Sequence, residues 1–593
     1  MLSPSKAPTN DFDSNFLGVA AEESGVGAYL AARYARKNLD YSSAADYFIK
    51  TFEQDSNNQV ILNNIYMLLV YAGRIDDAYP YALKAMGEEP YTSSACIVAV
   101  VKNIADGDYV KAEELISKID KKGYNKFLVP LVKSWLQFAQ NKVDEAFKTL
   151  GTLKDDYDYN SVYHFHMGIM NDILGRDDVA KEHYEITLNG PGGSSFRALD
   201  VIICFMLRTH NIAKAEEILQ KYSHNYPDSF MLEKIIEHIK SGEPYDRPIY
   251  DAKTGTAEVL FGVAALLTQG VGLEHSMFFI RLAMHLDDQF VIAKIMLGNI
   301  LELGELYEQA NAVYDTIPKS SAAWFSAQIN IASNLNKMEK VSEAISILRM
   351  LEQQDPENAD VNIEMGDLLR GKERYREAIE PYTKALAIFK SKKEPEAKYW
   401  SLYYARAICY ERSNQWKKAE RDLVKALEVE PNQPYVLNYL AYSWLERREK
   451  VPQALEMLKV SYMQRPRDGF IADSLGWAFC LIGDYSQAID YLETAASLEP
   501  SNSVIIDHLG DAYWRGNRKK EAKYQWERAL TLNNDITKGD LEKIKVKIID
   551  GLPELTYDEE DFISQFEHSS EKSEIIENKD NLTNNEKMLS KPE

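Results

Sequence analysis

Small residues return through this chain at a fixed interval of 34. Units that begin at residues 25, 59, 93, 127 and 161 carry Ala44, Ala78, Ala112, Ala146 and Ala180 at their twentieth position. A sixth unit begins at 196, and the register resumes at 257, 291, 325 and 359 and closes with units at 400, 434, 469 and 503. The eighth position is small in most of them, as in Gly298, Gly366, Gly476 and Gly510. A period of this length excludes one compact core: each unit is a supersecondary element that buries its apolar face only against its neighbours.

Inside a unit, apolar residues recur at helical spacing in two blocks separated by polar turns such as Gly483-Asp484 and Arg515-Gly516-Asn517, which predicts a pair of antiparallel helices. A small residue at position eight, facing Ala at position twenty, lets the two axes approach closely. Proline at position thirty-two (Pro90, Pro227, Pro356, Pro431, Pro466, Pro500) ends the second helix. Asn58, Asn358 and Asn502 follow as expected N-caps. On these residues the unit resembles the tetratricopeptide repeat. The resemblance implies an all-α protein, an α-solenoid of about fourteen helix pairs wound in a right-handed superhelix.

The domain organisation read from the sequence is a flexible segment 1–24, an N-terminal array 25–229, an interrupted repeat and seam loop 230–256, a C-terminal array 257–536, a capping helix 537–550 and a disordered acidic tail 551–593. The seam rests on the run Ser-Gly-Glu-Pro-Tyr-Asp-Arg-Pro after Lys240. Residues 390–396 are a charged insertion that lengthens one turn. The tail holds 12 Asp and Glu against 4 Lys and has no sustained apolar period.

Chemistry is sparse. A net charge of -23 leaves no basic stripe for a nucleic-acid partner. Cys96, Cys204, Cys409 and Cys480 lie far apart inside helical patterns and read as core thiols. His164 and His166 diverge on one helix, so no metal is expected. Gly190-Pro-Gly-Gly-Ser-Ser195 lacks the Lys-Ser/Thr of a phosphate loop and reads as a turn. No catalytic constellation, cofactor motif or apolar run of membrane-spanning length is present. The chain is expected to be no enzyme.

What remains is a surface. In a stacked array the first helices line the concave face, and in the last four units its positions two, five, nine and twelve include Tyr404, Tyr435, Asn438, Tyr442, Phe470, Asp473, Trp477, Asp507, Asp511 and Trp514. Aromatic anchors flanked by carboxylates favour a protein segment that carries Lys or Arg. The Asn and Lys pattern with which tetratricopeptide clamps hold a chaperone's terminal carboxylate is missing, since the positions around Asn64 hold Tyr29, Arg33 and Ser94.

The runs 437–442, 473–477 and 507–514 also resemble the C-terminal half of long proteobacterial envelope proteins of the tetratricopeptide class. That group includes outer-membrane lipoproteins that tether and activate a carboxyl-terminal processing protease and present substrates to it, peptidoglycan hydrolases among them. The resemblance implies a protein-binding adaptor on the periplasmic face of the outer membrane. The first cysteine here, Cys96, lies inside the array rather than at a lipidation site, and the Ser/Pro/Asp-rich start has no signal-peptide pattern. A cytoplasmic assembly or regulatory scaffold unrelated to proteolysis is the alternative expectation.

Overall fold

The structure is a computed structural model. It describes residues 25–54, 56, 58–87, 92–190, 195–225, 236, 239, 246–268, 272–392, 399–532, 538–556, 559, 560, 563 and 564. The expectations for residues 1–24, for Pro90 and Pro227, for the glycine-rich turn at 191–194, for most of the 390–396 insertion and for the tail beyond 564 lie outside the described residues. Among the described residues there is no strand. Among them fourteen helix pairs follow one another from Gly25–Lys37 with Tyr41–Gln54 to Ser503–Arg515 with Lys519–Leu532, and the helix Lys538–Asp550 comes after them. Helices pack chiefly on their neighbours in sequence. This is an α-solenoid.

The caps explain where helices start. Asn58, Asn358 and Asn502 accept hydrogen bonds from backbone N–H groups of the first turn, and Asp468 and Gln433 do the same in the units between. The helices before Pro356, Pro431, Pro466 and Pro500 end at Gln354, Val429, Gln464 and Leu498, two residues short of the ring that cannot continue them.

The small residue at position eight works differently from expectation. A Cβ on Gly510 would lie 2.4 Å from the indole nitrogen of Trp526, and one on Gly366 2.7 Å from the ring of Tyr382. Gly168 stands in the same relation to Tyr184, Gly298 to Tyr314 and Gly476 to Leu492. The partner is therefore position twenty-four, with the position-twenty backbone behind it: the Ala488 carbonyl would lie 3.2 Å from a Cβ on Gly476. Sizes trade along the array. Ala32, Ala332 and Ala407 go with Phe48, Leu348 and Leu423, and the unit at 59 inverts the order with Tyr66 and Ala82, all of them buried. A fixed interhelical volume is filled by whichever residue of the pair is large.

The turn between the two helices is equally regular. Position fifteen is left-handed in every unit where it is described, from Leu39 at φ 59° to Asn517 at φ 61°. Glycine fills it at 73, 107, 175 and 483, while Glu305, Glu339, Glu373, His210 and Arg448 accept a conformation that side chains disfavour.

The chain forms two compact units, residues 1–351 and 352–593, so the division does not fall in the 230–256 interruption. From the sequence, that segment reads as a helix-like stretch at 231–240 followed by a loop through residue 256. Instead a helix, Ala252–Leu267, starts inside it, because Asp251 and Thr254 form a reciprocal capping box.

In the first unit, Ala252–Leu267 and the next helix, Leu273–Leu286, pack against the first helices of earlier pairs, Gln59–Tyr71, Ser93–Ala105 and Asn125–Ala139. Gly255 lies against the buried Trp135 ring, where a Cβ would come within 2.4 Å. Lys253 donates to the Ala105 carbonyl at 2.8 Å, and Arg281 to the Tyr71 carbonyl at 3.1 Å. Phe279 meets Tyr124 edge-on. Arg197, largely buried, bridges Glu258 at 2.7 Å and Asp200 at 3.0 Å. Arg247 reaches Asp172, which also pairs with Arg208. These bonds satisfy the helix ends and charges that the packing buries. The first-helix face of units 59, 93 and 127 is thus filled by the chain itself.

In the second unit, Lys538–Asp550 packs on the last repeat helix and buries Ile544. Of the tail, which by its sequence starts at residue 551, the structure describes residues 551–556, 559, 560, 563 and 564. Apolar side chains and a local cap hold it there. Leu552 packs against the core. The Thr556 N–H donates to the Glu559 carboxylate at 2.8 Å and the Glu559 N–H to the Thr556 hydroxyl, again a capping box.

Candidate functional site

The expected groove residues all belong to the second unit, on the first helices of four consecutive pairs: Trp400–Arg412, Pro434–Glu446, Gly469–Leu481 and Ser503–Arg515. They fall into an open part and a closed part. Tyr435 and Phe470 occupy position two of successive units and are 41% and 54% exposed. Tyr404 is half-buried and packs edge-on against Tyr439 at 5.7 Å. Burial pushes its phenol up to about 12. Asn438 lies on the same wall, and its side-chain carbonyl oxygen is buried without a hydrogen-bond partner among the described residues. Tyr442 is half-buried, and burial, then Glu446 and Asp473, raise its phenol further. Both phenols are neutral donors at any physiological pH.

The carboxylates are not free, which corrects the expectation that they would attract a basic partner. Asp473 pairs with His508 at 2.9 Å. Trp477 stacks on the same imidazole, 4.3 Å between centroids at 17°, and its indole N–H donates to Glu446 at 3.0 Å. Burial alone would lower the His508 imidazolium; Asp473, with Asp507 and Asp511 beyond, outweighs it and holds the group at about 9. Asp507 and Asp511 both accept from Lys547 of the terminal helix, at 2.9 Å and 2.8 Å, and Asp511 takes a further bond from the Trp526 indole at 2.9 Å. Burial would pull the Lys547 ammonium down, and the two carboxylates more than compensate. Trp514 packs beside Trp526 and under Gly551. The basic side chain expected from a partner is thus supplied from within the chain.

Position spacing could not have revealed Lys547, one of four lysines in a charged helix. Arg448 was also missed. It sits at the left-handed position fifteen of its unit, φ 53°, and pairs with Glu559 at 3.3 Å. The readable signal was Thr556-x-x-Glu559, a capping box followed by apolar residues.

The remaining polar sites are structural. The His166 ring accepts from the Trp135 indole at 3.2 Å, and burial lowers it to about 3. His164 pairs with His183 at 2.8 Å. Among the described residues no three metal-ligating side chains converge and no helix is long and apolar enough to cross a membrane. Burial pushes the thiols of Cys96 and Cys480 up to about 12 and that of Cys409 to about 11.

Comparison with known proteins gives one local family match and several partial likenesses. Residues 472–503 match the family model of the tetratricopeptide repeat. A TPR repeat-containing protein of Pseudomonas aeruginosa is 31% identical over 111 residues, a stretch that covers only 19% of this chain and 19% of that protein. Among solved structures, the APC/C hetero-tetramer Cut9–Hcn1 is similar over 91% of this chain and 98% of its own, at 14% identity and a TM-score of 0.36. A tetratricopeptide repeat protein from Parabacteroides merdae is similar over 49% of this chain and 97% of its own, at 14% identity and a TM-score of 0.32. Periodicity and helix pairing define an α-solenoid, and residues 472–503 within it match the tetratricopeptide repeat.

Proposed function

We propose that this protein is a non-catalytic scaffold that binds protein segments on the first-helix face of its second unit. The observation that carries the reading is the pair Tyr435 and Phe470, large aromatic side chains left open at equivalent positions of successive units. Exposed aromatics grouped on one face are costly in water and mark interaction surfaces. Asn438 beside them carries a side-chain oxygen with no hydrogen-bond partner among the described residues. In the units at 59, 93 and 127 the corresponding face is filled by the chain itself.

The narrower version is an adaptor that holds substrates for a carboxyl-terminal processing protease of the bacterial envelope. It rests on the resemblance carried by residues 437–442, 473–477 and 507–514. A cytoplasmic assembly scaffold uses the same face with other partners.

The test is crosslinked co-purification from cells with the full chain and a Tyr435→Ala, Phe470→Ala variant. Both side chains are exposed, so folding is unaffected, and we expect the variant to lose a defined set of partners by tenfold or more. Identical partner lists at equal yield overturn the reading. A protease and its substrates within the lost set support the adaptor version; their absence supports the alternative.

A further inference from the structure

Beyond the open aromatics, the same face carries an occupant. After the terminal helix the chain turns at Gly551, φ 78°, where a Cβ would lie 1.9 Å from the Trp514 ring. It then runs back across the repeats. Leu552, Leu555 and Ile563 enclose a cavity with Trp477, Leu481 and Tyr485. Ile563 rests against Gly483, and Glu559 reaches Arg448. The segment therefore crosses from the unit at 503 to the unit at 434, along the ends of the first helices.

Its hold is weak. The three apolar side chains are only half-buried, and the Arg448–Glu559 pair is 46% and 33% exposed, a setting in which ion pairs contribute little. The cavity beneath has a volume of about 210 Å³, more than an aromatic ring needs. A short stretch attached by a few partly solvated contacts belongs to the part of a protein that opens first.

We propose that this rim is a peptide-binding site whose resident occupant is the chain's own residues 551–556, 559, 560 and 563, and that the external ligand it fits is an acidic segment with two leucine-like side chains three residues apart and a carboxylate four residues further on. The spacing is that of Leu552, Leu555 and Glu559. The apolar pair enters the cavity lined by Trp477, Leu481 and Tyr485, and the carboxylate meets Arg448, with Arg515 on the same cavity wall. The resident segment competes at the high effective concentration of a tethered ligand, so an incoming partner binds only by displacing it. The inference deepens the scaffold reading above and rests on it for its biological use.

The experiment measures fluorescence anisotropy of a labelled synthetic peptide with the sequence of residues 551–564, added to the full-length chain. Two variants evict the resident segment without substituting a residue of the repeats: Leu552→Asp with Leu555→Asp, and Gly551→Ala, whose Cβ meets Trp514. Each is expected to bind the probe at least about tenfold more tightly than the unaltered chain. A probe in which both leucines are aspartate should not bind. In the Leu552→Asp, Leu555→Asp background, where the resident segment no longer competes, Arg448→Glu should weaken the probe, and a probe with Glu559→Lys should recover the loss. On the unaltered chain, whose folding is not in question, binding should saturate at high probe concentration and be blocked by unlabelled peptide. Equal affinity for all chains at native helical content, or no saturable binding to the unaltered chain, overturns the proposal. Partner capture through Tyr435 and Phe470 is scored separately, so a failure of probe binding with capture intact removes this inference alone. Probe binding without groove-dependent capture removes the scaffold reading instead.

Discussion

Gly366 and Tyr382 make the size trade measurable at a single pair. Tyr382 lies over the glycine, where a Cβ would be 2.7 Å from its ring, and its hydroxyl donates to Asp367 at 2.7 Å. A side chain at 366 has no space, so Gly366→Tyr should cost about 3 kcal/mol or more by overpacking. The double variant Gly366→Tyr, Tyr382→Ala reproduces the arrangement that Tyr66 and Ala82 already hold, both buried, in another unit. It should recover at least half of the loss. Chemical denaturation of the two variants decides it, and a double variant no better than the single would sink the exchange rule.

The helices show how far a sequence can be read and where it stops. Periodicity gave the pairs, Asn58, Asn358 and Asn502 gave the starts, and the prolines gave the ends, because each acts through neighbours within one turn. The packing of Ala252–Leu267 over units 93 and 127 was not legible. Its cause is a Gly255–Trp135 approach over more than a hundred residues, and a glycine in a helix announces no partner. Asp473, Asp507 and Asp511 were found as groove residues and misjudged as free for the same reason. His508 and Lys547, which neutralise them, belong to other helices. The filled face gives a prediction of its own: Gly255→Val should drive Ala252–Leu267 off the Trp135 ring. Amide exchange in Leu273–Leu286 should then quicken by tenfold or more, and unchanged exchange there would show that the helix does not depend on that approach.

At the scale of the molecule, the two units carry histidines in opposite protonation states. His166 is neutral in the first, its proton affinity lowered by burial to about 3, so protonation favours the unfolded chain. The stabilisation it leaves intact above pH about 6.5 is lost as pH falls towards 3. His508 is charged in the second, held at about 9. Its contribution is whole below pH about 6.5 and is lost as pH rises through about 9, at roughly 1.4 kcal/mol for each unit of separation. Calorimetry from pH 6 to 9.5 should therefore show a melting transition that falls with rising pH in the unaltered chain. In His508→Asn that slope should flatten, and an unchanged slope would assign the effect elsewhere.

The left-handed turn at position fifteen is a tuning series distributed along the solenoid. Glu305, Glu339 and Glu373 each hold a conformation at φ near 60° that glycine or asparagine adopts at a lower cost, by about 1 kcal/mol. Because a solenoid's stability adds up from its repeats, neighbouring segments can be stiffened or loosened independently by one residue apiece. The order in which the repeats melt is thus adjustable by mutation.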